Sequence, residues 1–409
     1  MAPFRLGITT DVQYAAKPPM VHPHPPPAAA AAAAAGTRPP LIRDYAAALP
    51  RLAAALGALR GGAGVDVVVH LGDLIDGHEG DVTASTVDLD AVLTVFDEAC
   101  GGERGADGGG AGTDRPIPVL HAVGNHCLTA GRAAVMGSRA FWGEEAVGEG
   151  VAASVAAAGG SLRWGDDVLP AAPAGATTTA AVNGCAPPPS PSPPHVGYYE
   201  FTPPGNTGWR LLFLDTMHLS VAYPAGDARR AAGEAALSAA AATGATCAKE
   251  WNGAVGEEQR RWLEQRLSAA AADGVQVLVC GHHPLVREAA SSRHLAWDGD
   301  AVAEALDRHA GVVRAYFCGH FHPGGYTVRE SGVHHLTFTA ILDALTPDGE
   351  PSNAWAVVTL GDNAIDVEGA GEERSRRLCW ETMTLSTTAD CTSGPAVVSS
   401  AVGDCPANS

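Results

Sequence analysis

The stretch Val67-Val-Val-His-Leu-Gly-Asp-Leu-Ile-Asp-Gly77 decides how the rest of the chain is read. Its β-branched opening reads as a short buried strand that stops at Gly72. Asp73 and Asp76 then fall in the loop just past the strand's carboxyl end, where open α/β sheets place their ligands. A glycine ahead of Asp73 lets the backbone turn sharply and leaves room beside the carboxylate. Taken alone, the pattern also describes a turn with two solvated aspartates. Repetition of the device along the chain argues against that.

Upstream, residues 4–10 read as a strand ending in Asp11-Val12-Gln13. Two residues apart on an extended segment, the Asp and Gln point the same way and can face one ion. Downstream, residues 117–123 form a strand that runs into Gly124-Asn125-His126. Asn offers a neutral oxygen there, and His126 a proton near pH 7. Residues 275–280 form a strand ending in Gly281-His282-His283-Pro284, where proline holds the preceding backbone extended. Residues 312–318 do the same and end in Gly319-His320-Phe321-His322. Residues 197–201 and 210–215 read as paired strands of a second sheet, and Asp215 as a structural residue. Short strands follow at 333–338, 355–360 and 364–369.

Between these strands, apolar spacing predicts helices over 41–59, 87–99, 228–249 and 256–272. Residues 17–40, proline-rich with an unbroken alanine run, read as a low-complexity insertion. The proline- and alanine-rich stretch within 150–196 reads as a second one, and residues 101–113 as a glycine-rich loop. The domain limits expected are 1–370, interrupted at 16–40 and 165–196, then an extension of unassigned role over 371–409. That extension contains Cys379, Cys391 and Cys405.

Composition narrows the possible partners. Acidic residues outnumber basic ones 45 to 26 over 409 residues, a net charge of −19. Such a surface is poorly suited to gripping nucleic acid or an anionic membrane. If the substrate is anionic, bound metal is the simplest local source of positive charge. Nine scattered cysteines without a CxxC pair suggest a reducing compartment, with Cys280 and Cys318 as small buried hydrophobes. With no long apolar run and no room for a leader ahead of the first strand, the expectation is a cytoplasmic protein.

The five loops together supply Asp11, Gln13, Asp73, Asn125, His282, His320 and His322. This mixed oxygen and nitrogen set lacks cysteine and suits Mn²⁺ better than structural zinc, although Mg²⁺, Co²⁺, Fe or Zn²⁺ could also use it. Seven ligands are too many for one ion and suit two ions that share a carboxylate, here Asp73.

In this order the segments Asp11-Val-Gln13, Gly72-Asp-Leu-Ile-Asp76, Gly124-Asn-His126, Gly281-His-His-Pro284 and Gly319-His-Phe-His322 resemble the calcineurin-like metallophosphoesterases. Gln13 stands where most members have histidine. With Asp11-Val-Gln-Tyr-Ala15 it is similar to the manganese-dependent ADP-ribose/CDP-alcohol diphosphatase branch. So are Leu295-Ala-Trp297, Gly324-Gly-Tyr326, Gly332–Thr337 and Ser352–Trp355. The resemblance implies an α/β fold, a four-layer α-β-β-α sandwich of two packed sheets flanked by helices. The dimetal site would lie at the carboxyl ends of the strands.

It also implies an assignment of ligands and roles. One ion falls to Asp11, Gln13, Asp73 and His322, and the other to Asp73, Asn125, His282 and His320. His126 is the proton donor to the leaving group and Asp76 orients it. Gln13, a weaker ligand than imidazole, implies a looser first position. The implied activity is hydrolysis of the phosphoanhydride in ADP-ribose, CDP-choline or CDP-glycerol by in-line attack of activated water. The products are a nucleoside monophosphate and a phosphorylated partner. Trp297 and Tyr326 are candidates for stacking a base or lining the pocket. The alternatives are a cyclic-nucleotide phosphodiesterase or general phosphomonoesterase on the same site, and a non-catalytic scaffold of this fold.

Overall fold

The computed structural model describes residues 3–21, 42–101, 116–138, 140–141, 155–165, 196–205, 207–225, 227–346 and 348–380. Most of both expected insertions, most of the glycine-rich loop, and Cys391 and Cys405 lie outside these residues.

The strands, in chain order, are β1 Phe4–Thr9, β2 Met20–Val21, β3 Ile42–Arg43, β4 Val67–His70, β5 Val119–His121, β6 Ser161–Trp164, β7 Tyr199–Thr202 and β8 Trp209–Phe213. They continue as β9 Gln276–Cys280, β10 Val313–Cys318, β11 Gly325–Val328, β12 His334–Thr337, β13 Ala354–Leu360, β14 Ala364–Gly371 and β15 Arg376–Cys379. The helices used below are α1 Ala48–Ala58, α2 Val82–Cys100, α3 Arg132–Gly137, α4 Ala228–Ala242, α5 Gly256–Asp273 and α6 Gly299–Arg308.

Thirteen of the strands form two sheets. The first runs β15-β14-β13-β1-β4-β5 and the second β11-β12-β10-β9-β8-β7-β6. Within the first, β1, β4 and β5 are parallel, in the registers Thr9↔His70 and His70↔His121. Within the second, β8, β9, β10 and β12 are parallel. Parallel neighbours end on the same edge, so the loops after β1, β4 and β5 emerge together, as do those after β9 and β10.

Side-chain alternation sorts the core into layers. In the second sheet Leu211, Phe213, Leu278 and Cys280 join the cluster that also holds Leu6, Ile8, Val67 and Val69 of the first sheet. Their neighbours Leu212, Leu214, Val277 and Val279 face away, toward Trp262, Leu263 and Leu267 of α5 and Val302 and Leu306 of α6. Leu52 and Leu56 of α1 and Leu89 and Val92 of α2 cover the other flank of the first sheet. The result is the expected four-layer sandwich. Each large side chain buried this way contributes roughly 1.5–3 kcal/mol.

Element ends have local causes. Asp81 caps α2 by accepting from Ala84 N at 2.9 Å. Asp298 accepts from Val255 N at 3.0 Å and Gly256 N at 2.8 Å at the head of α5. Gly274, left-handed at φ 66°, closes that helix.

Several boundaries differ from the sequence reading. The helix expected from residue 41 begins at Ala48, because the Asp44 carboxylate accepts from Ala46 N at 3.1 Å and makes a turn first. Ile42 therefore sits in the β2–β3 hairpin, 52 % exposed rather than in the helix stripe. Val87, the first residue of the helix expected over 87–99, lies inside α2 and is 64 % exposed. α4 stops at Ala242, two residues before the left-handed Gly244, rather than running to 249. A short strand, β6, lies inside the stretch read as an insertion and pairs with β7. The sheet also continues past the boundary expected at residue 370: β15 pairs with β14, so Cys379 belongs to the sheet rather than to an extension. Cys280 and Cys318 are buried, as expected of small hydrophobes.

Candidate metal centre

The ladders do not stop where the strands do. Asp11 N donates to Gly72 O at 3.0 Å, Gln13 N to Asp73 O at 2.9 Å and Tyr14 N to Leu74 O at 3.2 Å. Gly319 N donates to His282 O at 3.0 Å. A strap after β12 completes the rim: Ala340 N donates to His322 O, Ile341 N to Thr10 O and Leu342 N to Asp11 O. The motif loops are thereby hydrogen-bonded to one another.

Backbone strain concentrates in the same place. Among the described residues, the non-glycine positions with positive φ are Asp11 (48°), Gln13 (43°), Asp73 (56°) and His320 (65°). All four are candidate ligands. A left-handed non-glycine residue costs of order 1–3 kcal/mol and persists only where its surroundings over-determine it.

Glycine spacing serves close approach between the loops. A Cβ on Gly72 would meet His282 Nδ1 at 2.5 Å, and one on Gly319 would meet Asp11 Oδ2 at 2.3 Å. Each glycine therefore leaves room for a side chain from the opposite sheet.

The seven candidates converge. Asp73 is fully buried; its Oδ2 accepts from Gln13 Nε2 at 2.9 Å and lies 3.3 Å from His282 Nε2, while its Oδ1 accepts from His126 N at 2.9 Å. His282 Nε2 is also 3.1 Å from Asn125 Oδ1. Asp11 accepts from Thr10 Oγ1 at 2.6 Å and from His320 N, and its Oδ1 lies 3.6 Å from His322 Nε2. One ligand atom each from Asp11, Asp73 and His282 fall within 4.8 Å of one another, and so do those of His282, His283 and His320.

The buried carboxylates and imidazoles of the pocket shift one another's ionisation. Burial pushes the Asp11 carboxyl up; Asp73 adds to this, against the pull of His282 and His322. Burial also opposes ionisation of Asp73, but His282 and His126 outweigh it and hold that carboxyl far below the usual range. Burial disfavours the charged ring of His282, yet Asp73 raises it to about 9. Two buried carboxylates this close require a positive charge, which His282 supplies here. Gln13 Oε1 is buried without a hydrogen-bond partner. A buried amide oxygen without a partner, on the side chain that donates to Asp73, fits a hard divalent ion, and so does the donor set.

Other groups hold the ligands in place. His282 Nδ1 donates to Leu71 O at 2.9 Å, which turns Nε2 toward Asp73. His322 Nδ1 faces Asp343 Oδ2 at 2.5 Å, and Arg43 pairs with the same carboxylate. Asp343, Arg43 and Asn252 fall in no motif of the sequence, and His283 falls within Gly281–Pro284 without an assigned role. The carboxylate after the strap and the second histidine of Gly281–Pro284 were the available signals.

His126 is half-exposed beside the pocket. Its Nδ1 lies 3.1 Å from the backbone carbonyl of Asp76 and 3.5 Å from that residue's carboxylate. The Asp76 carboxylate itself pairs with Lys17. Asp76 thus approaches the ring more closely through its backbone than through its side chain. Trp297 is half-buried; its Nε1 donates to Lys249 O at 3.1 Å and its backbone N to Gly253 O at 2.8 Å. Tyr326 OH lies 2.9 Å from His334 Nδ1, and Arg376 stands over its ring. Asp215 pairs with the buried Arg132, in keeping with its structural reading.

The fold is that of a dimetal phosphatase: the solved structure of one from Danio rerio matches 93 % of this chain and 100 % of its own, with TM-score 0.65 and 22 % identity. In sequence the chain resembles proteins named manganese-dependent ADP-ribose/CDP-alcohol diphosphatase. That of Arabidopsis thaliana is 34 % identical over 126 residues, 31 % of this chain and 39 % of the relative. The Oryza sativa subsp. japonica protein is 34 % identical over 131 residues, 32 % and 39 % of the two chains. The match thus spans about two fifths of either relative's length. No family model matches the chain. No helix among the described residues is long and apolar enough to cross a membrane.

Proposed function

We propose that the chain is a metal-dependent hydrolase that splits the phosphoanhydride of nucleotide-diphosphate conjugates of the ADP-ribose and CDP-alcohol type. The observation that carries this reading is the buried convergence of Asp11, Asp73 and His282, with Gln13 bonded to Asp73 through Nε2 and its Oε1 left without a partner. The names of the sequence relatives support the substrate class.

In this reading Asp11, Gln13, Asp73 and His322 hold one ion, and Asp73, Asn125, His282 and His320 the other. Two divalent ions, Mn²⁺ by the relatives' names, supply an activated water and neutralise phosphoryl charge during in-line displacement. The chain's own contribution is to fix these ligands, shield them from bulk water and deliver a proton. His126 Nδ1 is tied to the Asp76 carbonyl, so Nε2 is the atom that faces the leaving group. A placed general acid of this kind is worth roughly 10²–10⁴-fold. Lys17, pairing with Asp76, holds the loop that carries that carbonyl.

The test is hydrolysis of ADP-ribose, CDP-choline, a cyclic nucleotide and p-nitrophenyl phosphate, with Mn²⁺ and with chelator. Manganese-dependent release of AMP or CMP is the expected result. Activity confined to the cyclic nucleotide or the monoester sinks the substrate assignment, and inactivity on all four with metal bound favours a scaffold.

A further inference from the structure

Asn252 lies between α4 and α5, outside all five motif loops, and is fully buried. Its amide has three partners. Nδ2 donates to the carbonyls of Cys247 and Arg293, each at 2.8 Å, and Oδ1 stands 3.0 Å from His320 Nε2. Carbonyl oxygens only accept, so turning the amide round would set its oxygen against two others. Oδ1 must therefore face the ring, and a ring nitrogen facing an acceptor must carry hydrogen.

We propose that Asn252 is a positioning residue that locks His320 in the Nε2–H tautomer, so that Nδ1 is the nitrogen offered to an ion. This rests on the dimetal reading above. The arrangement is opposite to that of the other two ligand histidines: His282 and His322 commit Nδ1 to Leu71 O and Asp343, and present Nε2. His320 is also packed among imidazoles, with ring centroids at 4.1 Å (His283), 5.0 Å (His282) and 5.4 Å (His294). A ring with the wrong tautomer would turn a lone pair toward Asn252 Oδ1.

The Asn252 loop is itself fastened to residues 291–297. Thr246 Oγ1 donates to Ser292 O at 3.1 Å, and Trp297 donates from both its nitrogens to Lys249 and Gly253. Trp297 thereby holds Asn252 against His320. Partners that fix a metal-ligating histidine in this way are worth 10–100-fold in metal affinity or activity.

The experiment uses the full metal-free chain with ¹⁵N-labelled histidine, with His320→Gln to assign the ring, followed by Mn²⁺ calorimetry. The expected wild-type spectrum has His320 protonated at Nε2. Asn252→Leu should lose that preference and weaken one of two Mn²⁺ affinities by roughly 10–100-fold, leaving the other in place. A wild-type His320 protonated at Nδ1 overturns the proposal, whether or not Asn252→Leu folds. So does a folded Asn252→Leu chain with both affinities intact. If the wild-type chain binds no Mn²⁺ yet carries the Nε2–H tautomer, the dimetal reading fails and the positional assignment stands.

Discussion

The two sheets contribute different chemistry to one pocket. Among the candidate ligands, loops of the first sheet bring oxygen donors, Asp11, Gln13, Asp73 and Asn125, while loops of the second bring imidazoles, His282, His320 and His322. Within each sheet the ligands are spaced by ladders that continue beyond the strands. Between the sheets they are spaced by contacts such as Gly72 against His282 and Gly319 against Asp11. The lesson is that neither sheet holds the candidate site on its own, and an ion that used both donor types would tie the layers together.

The change that breaks this arrangement most completely is Asp73→Ala, because Asp73 is the oxygen ligand that His282 and Gln13 both contact. Both ions should be lost and hydrolysis should fall by more than His126→Ala causes; retention of two bound Mn²⁺ would show the bridge to be misassigned. His126→Ala leaves the oxygen and nitrogen halves intact. It should cost roughly 10²–10⁴-fold in kcat at unchanged Mn²⁺ stoichiometry. A parallel loss of metal would place His126 among the ligands instead.

Asp343→Ala removes the partner of one imidazole. The Mn²⁺ concentration for half-maximal activity should rise by roughly 10–100-fold. An unchanged requirement means that Asp343 serves Arg43 alone. Stripping metal from the native chain should lower unfolding free energy by about 2.7 kcal/mol for each ion removed, relative to Mn²⁺ at a hundredfold excess over Kd. Equal stability with and without chelator denies that the ion ties the layers together.

The smallest effect is on the pH profile of the metal-free chain. His282 is raised to about 9, so its stabilising charge is complete below its unfolded value near 6.5 and is lost as pH climbs through about 9. His121 and His335, lowered to about 3 chiefly by burial, act oppositely. The unfolded chain binds their protons first, so stability falls as pH drops from about 6.5 toward 3. Melting temperature should therefore peak near neutrality without metal, and a monotonic rise toward pH 9 contradicts the His282–Asp73 pairing.

Much of the oxygen half and the imidazole half was legible in the sequence, because strand-glycine-ligand spacing is local. The left-handed backbone at Asp11, Gln13, Asp73 and His320 was not, since it depends on ladders formed with distant loops. Asn252 and Asp343 were also hidden, as each reaches its histidine from a stretch with no periodicity or motif. Trp297 reads from sequence as a candidate for stacking a base, and its indole bond was hidden because the partner is a backbone carbonyl that no side-chain pattern encodes. The early start given to α1 has the same origin: one Asp44 turn outweighed an apolar stripe.

The place of β1 in its sheet has a consequence for the order of synthesis. β1 is paired on one side with β4 and on the other with Ala356–Leu360 of β13, translated far later. On the ribosome, the strand that delivers Asp11 and Gln13 keeps one edge unpaired until nearly the whole described chain has emerged. Nascent chains arrested before Ala354 should therefore be cut by protease near β1, and those arrested well past Leu360 should not. The first candidate ligands to be made are then among the last to be enclosed, so on the proposed reading metal loading would fall at the end of translation.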